Sequence, residues 1–132
     1  MKLAREVMTT QVISARPQEK ARSVLLQILI GQYSGMPVIN ERSEVVGVVS
    51  EFDLVKAIQK KAALDKISVA EIMTRDPHTV DVSEPIQNVI DVMIEKGFLR
   101  LPVTENGKLA GVISRSDILK SYYETEQVST IY

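Results

Sequence analysis

Cysteine is absent from the 132 residues of this chain. Its absence excludes a disulfide framework, a thiolate metal site and a cysteine nucleophile. Histidine occurs once, as His78 beside Pro77, so no histidine-based triad or histidine metal cluster can be assembled within one chain. The expected place for His78 is a partly exposed loop or a pocket wall. An excess of charge of either sign is also missing: 16 Lys and Arg face 17 Asp and Glu, a net charge of -1. Lys60-Lys61 and Lys2/Arg5 are too scattered to make a basic patch, so neither nucleic acid nor an anionic membrane is an expected partner. The longest apolar stretch, near Val24 to Ile30, is broken by Gln27 and is far short of a membrane span. No apolar signal segment follows Met1-Lys2-Leu3, and the expectation is a small body in a reducing cytoplasm, without an anchor. Neither of the common glycine-rich phosphate-binding runs is present, Gly-x-x-x-x-Gly-Lys-Ser/Thr or Gly-x-Gly-x-x-Gly.

What the chain does contain is a repeat. Glu6-Val7-Met8-Thr9 returns 65 residues later as Glu71-Ile72-Met73-Thr74, and Met36-Pro37-Val38 as Leu101-Pro102-Val103. Gly47-Val48-Val49-Ser50 with Asp53 returns 64 residues later as Gly111-Val112-Ile113-Ser114 with Asp117, so one copy has a turn one residue longer. A unit of about 60 residues buries little surface alone, and two copies are expected to pack into one body with pseudo-twofold symmetry. The expected divisions are residues 1–66, residues 67–124 and a C-terminal tail, 125–132, without clear periodicity.

Within each copy the period changes from helix to strand. Val24, Leu25, Ile28 and Leu29 mark one helical face, with Gly31 as its stop; Val89, Ile90, Met93 and Ile94 repeat it, ending at Gly97. Two short β-branched runs follow, Met36 to Ile39 and Val45 to Val49, and again Leu101 to Val103 and Leu109 to Ile113. Each pair reads as a hairpin, the second closed by Asn106-Gly107, both of which tolerate positive φ. A second helix is expected from Glu51 to Lys60 and from Arg115 to Tyr123. Val12 to Ser14 and Thr79 to Asp81 supply one more brief strand each. Each copy is thus an α/β unit of β-α-β-β-α order, preceded by a short helical turn at Val7-Met8 or Ile72-Met73.

Chemistry concentrates at Gly-x-x-Ser-x-x-Asp, seen at Gly47/Ser50/Asp53 and at Gly111/Ser114/Asp117. One reading is structural: Ser at a helix N-cap with an acidic residue at the third helical position is a capping box. The other is functional. A carboxylate in the first helical turn accepts hydrogen bonds from a vicinal diol such as ribose, while unpaired N–H groups at the helix start attract a phosphate. Asp53 and Asp117 are related by the repeat, which predicts equivalent roles and not the complementary acid and base that hydrolysis needs. No catalytic residue, resident cofactor or metal is expected.

The tandem of Val/Ile-Met-Thr openings, Met/Leu-Pro-Val centres and Gly-Val-Val/Ile-Ser-x-x-Asp closings resembles a pair of CBS (cystathionine-β-synthase) domains over about residues 3 to 123. The resemblance implies a stand-alone regulatory module that binds an adenosine-containing ligand between the copies and signals to a protein partner. The ligand would be AMP, ADP or ATP, with S-adenosylmethionine as another member of the class. Carried over by position, one site would use Asp117 for the ribose, supported by Ser114 and Ser116. Arg100 would contact phosphate, Val112, Ile13, Tyr33 and Ser34 would surround adenine, and Met8-Thr9 would lie at the entrance. The other would use Asp53, Ser50 and Val48 with Thr74, His78, Phe98 and Leu99. There the pattern departs: Gly35 stands where the second copy has Arg100, and Glu51 where it has Arg115, so a phosphate is expected to be drawn to the Asp117 site and partly repelled at the other, with one tighter nucleotide site per chain. A different reading keeps the fold as a ligand-free dimerisation or docking scaffold with both Asp residues as caps. Apolar faces through Leu54, Val55 and Ile58, and through Ile118, Leu119 and Tyr122, point to a homodimer.

Overall fold

The computed structural model describes residues 2–131. In chain order its elements are α1 (Ala4–Val7), α2 (Ala21–Gly31), β1 (Gly35–Ile39), β2 (Val45–Ser50), α3 (Glu51–Gln59) and α4 (Val69–Ile72). They continue with β3 (Thr74–Arg75), β4 (Val80–Asp81), α5 (Ile86–Lys96), β5 (Arg100–Glu105), β6 (Lys108–Ser114) and α6 (Arg115–Ile131). The class is mixed α+β, with two three-stranded sheets, β1-β2-β3 and β4-β5-β6.

The compact units cut the chain differently from the sequence copies. One unit is residues 13–77; the other joins residues 1–12 to residues 78–132. The opening segment of each copy therefore completes the sheet of the other. Thr74 pairs with Val48 on β2, and Thr9 bridges Val112 on β6. Helix α1 is likewise fixed to the later unit, where Ala4 N–H donates to the Glu84 carbonyl at 2.8 Å and Arg5 N–H to that of Val82 at 3.0 Å.

The unit of residues 13–77 is built on the β1-β2 hairpin. Its core joins Val24 and Ile28 of α2 to Met36, Val38 and Val49 of the sheet, Leu54 of α3 and Val69 of α4. The brief strand expected at Val12 to Ser14 is instead a single parallel bridge at Ala15, paired with Val38. The turn between the strands runs from Asn40 to Glu44, and the Asn40 side chain accepts the Arg42 and Glu44 amides at 2.9 and 3.0 Å.

The later unit follows the same plan. Val89 and Met93 of α5 pack with Val80, Leu101, Val103 and Ile113 of the sheet, and with Ala4. β4 runs parallel to β5, which is the expected strand at Thr79 to Asp81 shortened by one residue. The register slips at matching places, Val38/Ile39 and Val103/Thr104, so each hairpin bulges just beyond its Gly47 or Gly111. Here Asn106 and Gly107 make the tight turn with φ of 55° and 80°, and the chain from Val103 to its partner Gly111 is one residue shorter than that from Val38 to Gly47.

Several local expectations are corrected. Leu29 and Ile94 are 67% and 77% exposed, because the faces that meet the sheets are the narrower Val24/Ile28 and Val89/Met93. Gly97 caps α5 in the left-handed region, but at the end of α2 that conformation falls to Gln32, at φ 57°. Gly31 instead leaves room for the Tyr33 ring, which would lie 2.1 Å from a Cβ there. α3 ends one residue early, at Gln59. α6 does not stop at Tyr123 but continues to Ile131, since no Gly or Pro follows Ser114 to end it. Of the expected tail, Tyr132 lies outside the described residues.

Candidate functional site

Both Gly-x-x-Ser-x-x-Asp motifs fold as capping boxes at the junction of a strand with a helix. Asp117 Oδ2 accepts the Ser114 amide at 2.8 Å and its hydroxyl at 3.0 Å, while Asp117 N–H donates to Ser114 Oγ at 3.2 Å. Asp53 does the same with Ser50, at 2.8, 3.1 and 3.4 Å. The next amide in each helix is also occupied: Arg115 N–H donates to the Leu99 carbonyl at 3.1 Å, and Glu51 N–H to that of Ser34 at 2.9 Å. Of the four leading amides of α6, only that of Ser116 has no partner among the described residues, and in α3 only that of Phe52. This corrects the expectation of an open row of N–H groups for a phosphate. An anion must be held chiefly by side chains.

Beyond the boxes the two carboxylates diverge. Asp117 is half-buried, and its Oδ1 accepts the Thr9 hydroxyl at 3.1 Å. Asp53 is buried, 6% exposed, and its Oδ1 faces Lys56 Nζ at 3.6 Å. Thr74, the counterpart of Thr9, is exposed and gives Asp53 no hydrogen bond.

The arginines also separate. Arg100 opens β5 directly across the ladder from Ser114, so it stands beside the capped start of α6. Its buried Nε has no hydrogen-bond partner, and its guanidinium makes no ion pair among the described residues. Arg115, which the sequence places as a second cation beside Asp117, is engaged elsewhere. Its Nε donates to the Phe98 carbonyl at 3.0 Å and its Nη2 to that of Gly97 at 3.3 Å, where it closes the C-terminus of α5. Gly35 pairs with Ser50 as Arg100 does with Ser114. A Cβ on Gly35 would stand 2.9 Å from the Val49 carbonyl oxygen and 3.2 Å from Ser50 Cα, so that ladder end has no room for a side chain.

The remaining residues singled out in the sequence divide between the units. Thr9, His78, Phe98, Leu99, Arg100, Val112, Ser114, Ser116 and Asp117 share the later one. There the exposed His78 ring lies 5.8 Å from that of Phe98, which packs on the core. Ile13, Tyr33, Ser34, Val48, Ser50, Asp53 and Thr74 belong to the unit of residues 13–77. Ile13 packs on its core, and Tyr33 is 41% exposed over Gly31. Sequence reasoning missed the Thr9–Asp117 and Lys56–Asp53 contacts. Glycine within a strand was the available signal for the first, because it marks a close backbone approach. A Cβ on Gly111 would meet the Thr9 carbonyl oxygen at 2.7 Å and Met8 Sδ at 2.8 Å, and Gly47 is crowded in the same way by Thr74 and Met73.

Asp81 ends β4 with its carboxyl held below the ordinary carboxylate range by the Ser83 hydroxyl and amide, at 2.5 and 3.0 Å. Among the described residues no cluster of three His, Asp or Glu is placed to hold a metal ion. No described helix is long and apolar enough to cross a membrane.

The chain is 30% identical over 117 residues to an uncharacterised protein of Methanopyrus kandleri, a match that covers 87% of this chain and 60% of that protein. It spans 41% of another archaeal relative, from Methanocaldococcus jannaschii, at 29% identity. Among solved structures, CBSX2 in complex with AMP superposes with a TM-score of 0.85 at 24% identity, covering 96% of this chain and 99% of that one. The CBS domain pair of protein MJ0100, in complex with 5-methylthioadenosine and S-adenosyl-L-methionine, gives 0.81 at 21% identity, covering 95% and 98%. The model of the CBS domain matches residues 4–60 and again residues 69–124, and the chain belongs to that family.

Proposed function

We propose that this CBS pair is a non-catalytic regulatory module that binds an adenosine-containing ligand at Asp117 and signals its occupancy to a partner protein in the cytoplasm. The observation that carries the reading is Arg100. A guanidinium with a buried nitrogen and no partner is costly in isolation, and a phosphate beside Ser114 would supply what it lacks. The half-buried Asp117 carboxylate on the same helix start suits a ribose diol, and Ser116 N–H is the one leading amide left for an anion. Ligands of this class are bound by the related CBS pairs, AMP in one and S-adenosylmethionine with methylthioadenosine in another, which supports the class and leaves the member to experiment. AMP, ADP and ATP are the first candidates.

The test is a thermal-shift series with adenosine, AMP, ADP, ATP and S-adenosylmethionine, because a ligand that binds only the folded state raises the melting temperature with its concentration. A rise with AMP is expected. Arg100→Ala should weaken AMP at least about tenfold while changing adenosine little, since one charge-assisted contact contributes about 1.5 kcal/mol or more. No shift from any of these ligands up to millimolar concentration rejects the proposal.

A second reading, a scaffold without ligand, is favoured by the closed capping boxes, which give both carboxylates a complete structural role. Either reading includes a homodimer. In the expected faces Leu54 is buried and Ile118 packs on the core, but Val55, Ile58, Leu119 and Tyr122 remain 56–69% exposed. Light scattering should give twice the chain mass at micromolar concentration; a monomer mass rejects the dimer.

A further inference from the structure

The Thr9 hydroxyl and Asp117 Oδ1 form a pair of oxygens 3.1 Å apart at the edge of β6. Thr9 is fixed there by its backbone, which donates to the Val112 carbonyl at 2.9 Å and accepts the Val112 amide at 3.0 Å. It is exposed and lines, with Asp117, a polar crevice of about 190 Å³ between α1 and α6. Asp117 Oδ2 is already occupied twice, by the Ser114 amide and hydroxyl, and Oδ1 once, by Thr9. A carboxylate has about four acceptor sites, so one remains, on Oδ1. One site cannot satisfy two neighbouring hydroxyls.

The geometry points to Thr9 as the second acceptor of a vicinal diol and hence as a residue that sets specificity for ribose over deoxyribose. The Thr9 hydroxyl gives its hydrogen to Asp117 and keeps its lone pairs. Donation to a carboxylate polarises the oxygen and makes it a better acceptor. The separation of the two oxygens is comparable to that between vicinal hydroxyls on a five-membered ring, so one ribose hydroxyl donates to Oδ1 and the other to Thr9 Oγ1. The carboxylate also arrives oriented: its otherwise broad torsion is fixed by Ser114 on one oxygen and Thr9 on the other. The pair is missing at Asp53, whose Oδ1 faces Lys56 Nζ at 3.6 Å and to which the Thr74 hydroxyl gives no hydrogen bond. This inference rests on the reading of Asp117 as the ribose acceptor.

Calorimetric titration of AMP, 2′-deoxy-AMP and 3′-deoxy-AMP into the full chain separates the two. The wild type should lose about tenfold or more in affinity when either hydroxyl is removed. Thr9→Val, which keeps the branched shape and loses the hydroxyl, should weaken AMP about tenfold and bind AMP no better than one of the two deoxy analogues. Thr9→Ser should restore the discrimination, and Thr10→Val, beside it in the segment, should behave as the wild type. A wild type that binds all three ligands equally, or binds none, removes the Asp117 reading and this inference with it. Full discrimination retained in Thr9→Val overturns the role of Thr9 and leaves Asp117 standing. Melting curves of Thr9→Val and Thr9→Ser establish that both variants are folded.

Discussion

The unit of residues 13–77 and the unit of residues 78–132 with 1–12 share a hairpin register, a bulge and a capping box, and differ in the charges around that box. Where the later unit has Arg100, a Thr9 bonded to Asp117, and Arg115, the earlier has Gly35, a Thr74 that gives Asp53 no hydrogen bond, and Glu51. The shared features all use backbone amides or buried apolar side chains, which a duplicated scaffold cannot lose without unfolding. The differing ones lie where side chains leave the sheet. Duplication has thus kept the frame and changed what it presents. Asp53 has been drawn into the frame, buried beside Lys56, whereas Asp117 remains half-buried with an unoccupied acceptor site.

Substituting the two carboxylates is the strongest way to break that comparison. Asp53→Ala and Asp117→Ala each open a capping box and should cost a similar amount of stability, about 1 kcal/mol. Their effect on AMP should differ sharply: about a hundredfold loss for Asp117→Ala and less than about twofold for Asp53→Ala. Calorimetry on the two variants decides it, and equal losses would make the units equivalent. A smaller effect sharpens the same contrast. Gly35→Arg places in the earlier unit the cation that it lacks, but its Cβ would meet the Val49 carbonyl oxygen at 2.9 Å. The variant should lose about 1–3 kcal/mol in urea unfolding and gain no phosphate binding. A stable Gly35→Arg chain that binds a second AMP would show that charge alone, and not the closed ladder end, separates the units.

The repeat, the hairpins and the capping boxes were legible in the sequence because each is written locally, in turn residues, β-branched runs and a Ser-x-x-Asp spacing. Even the extra residue of the Asn40 turn showed as a change of offset from 65 to 64. Contacts made by long side chains were not legible. Arg115 and Arg100 are both basic residues near Asp117 in the sequence pattern, yet one reaches back to the carbonyls of Gly97 and Phe98 and the other has a buried Nε with no partner among the described residues. Charge sign does not specify which of several neighbouring acceptors a flexible side chain meets. The exchange of opening segments came only with the family resemblance, which set Thr9 beside the Asp117 site and Thr74 beside the Asp53 site, and not with the local pattern. Thr9 and Thr74 carry equivalent sequences, so local pattern is the same whether each segment pairs with its own hairpin or with the other one. Equivalent letters do not encode which copy they serve.

That exchange orders events during synthesis. The earlier unit is composed of residues 13–77, so all of its own elements are made before the later sheet is complete. Residues 3–9 precede that unit yet find their places after it, because Leu3 pairs with Pro85 and Thr9 with Val112, 82 and 103 residues downstream. Closing a loop that long adds little free energy per further residue, but it delays the contact and slows folding. The nascent opening segment, with Ala4 and Met8 destined for a core that does not yet exist, must wait uncovered until β6 is complete. A chain stopped before Val112 would therefore carry one finished unit and one half with its own first element unclaimed.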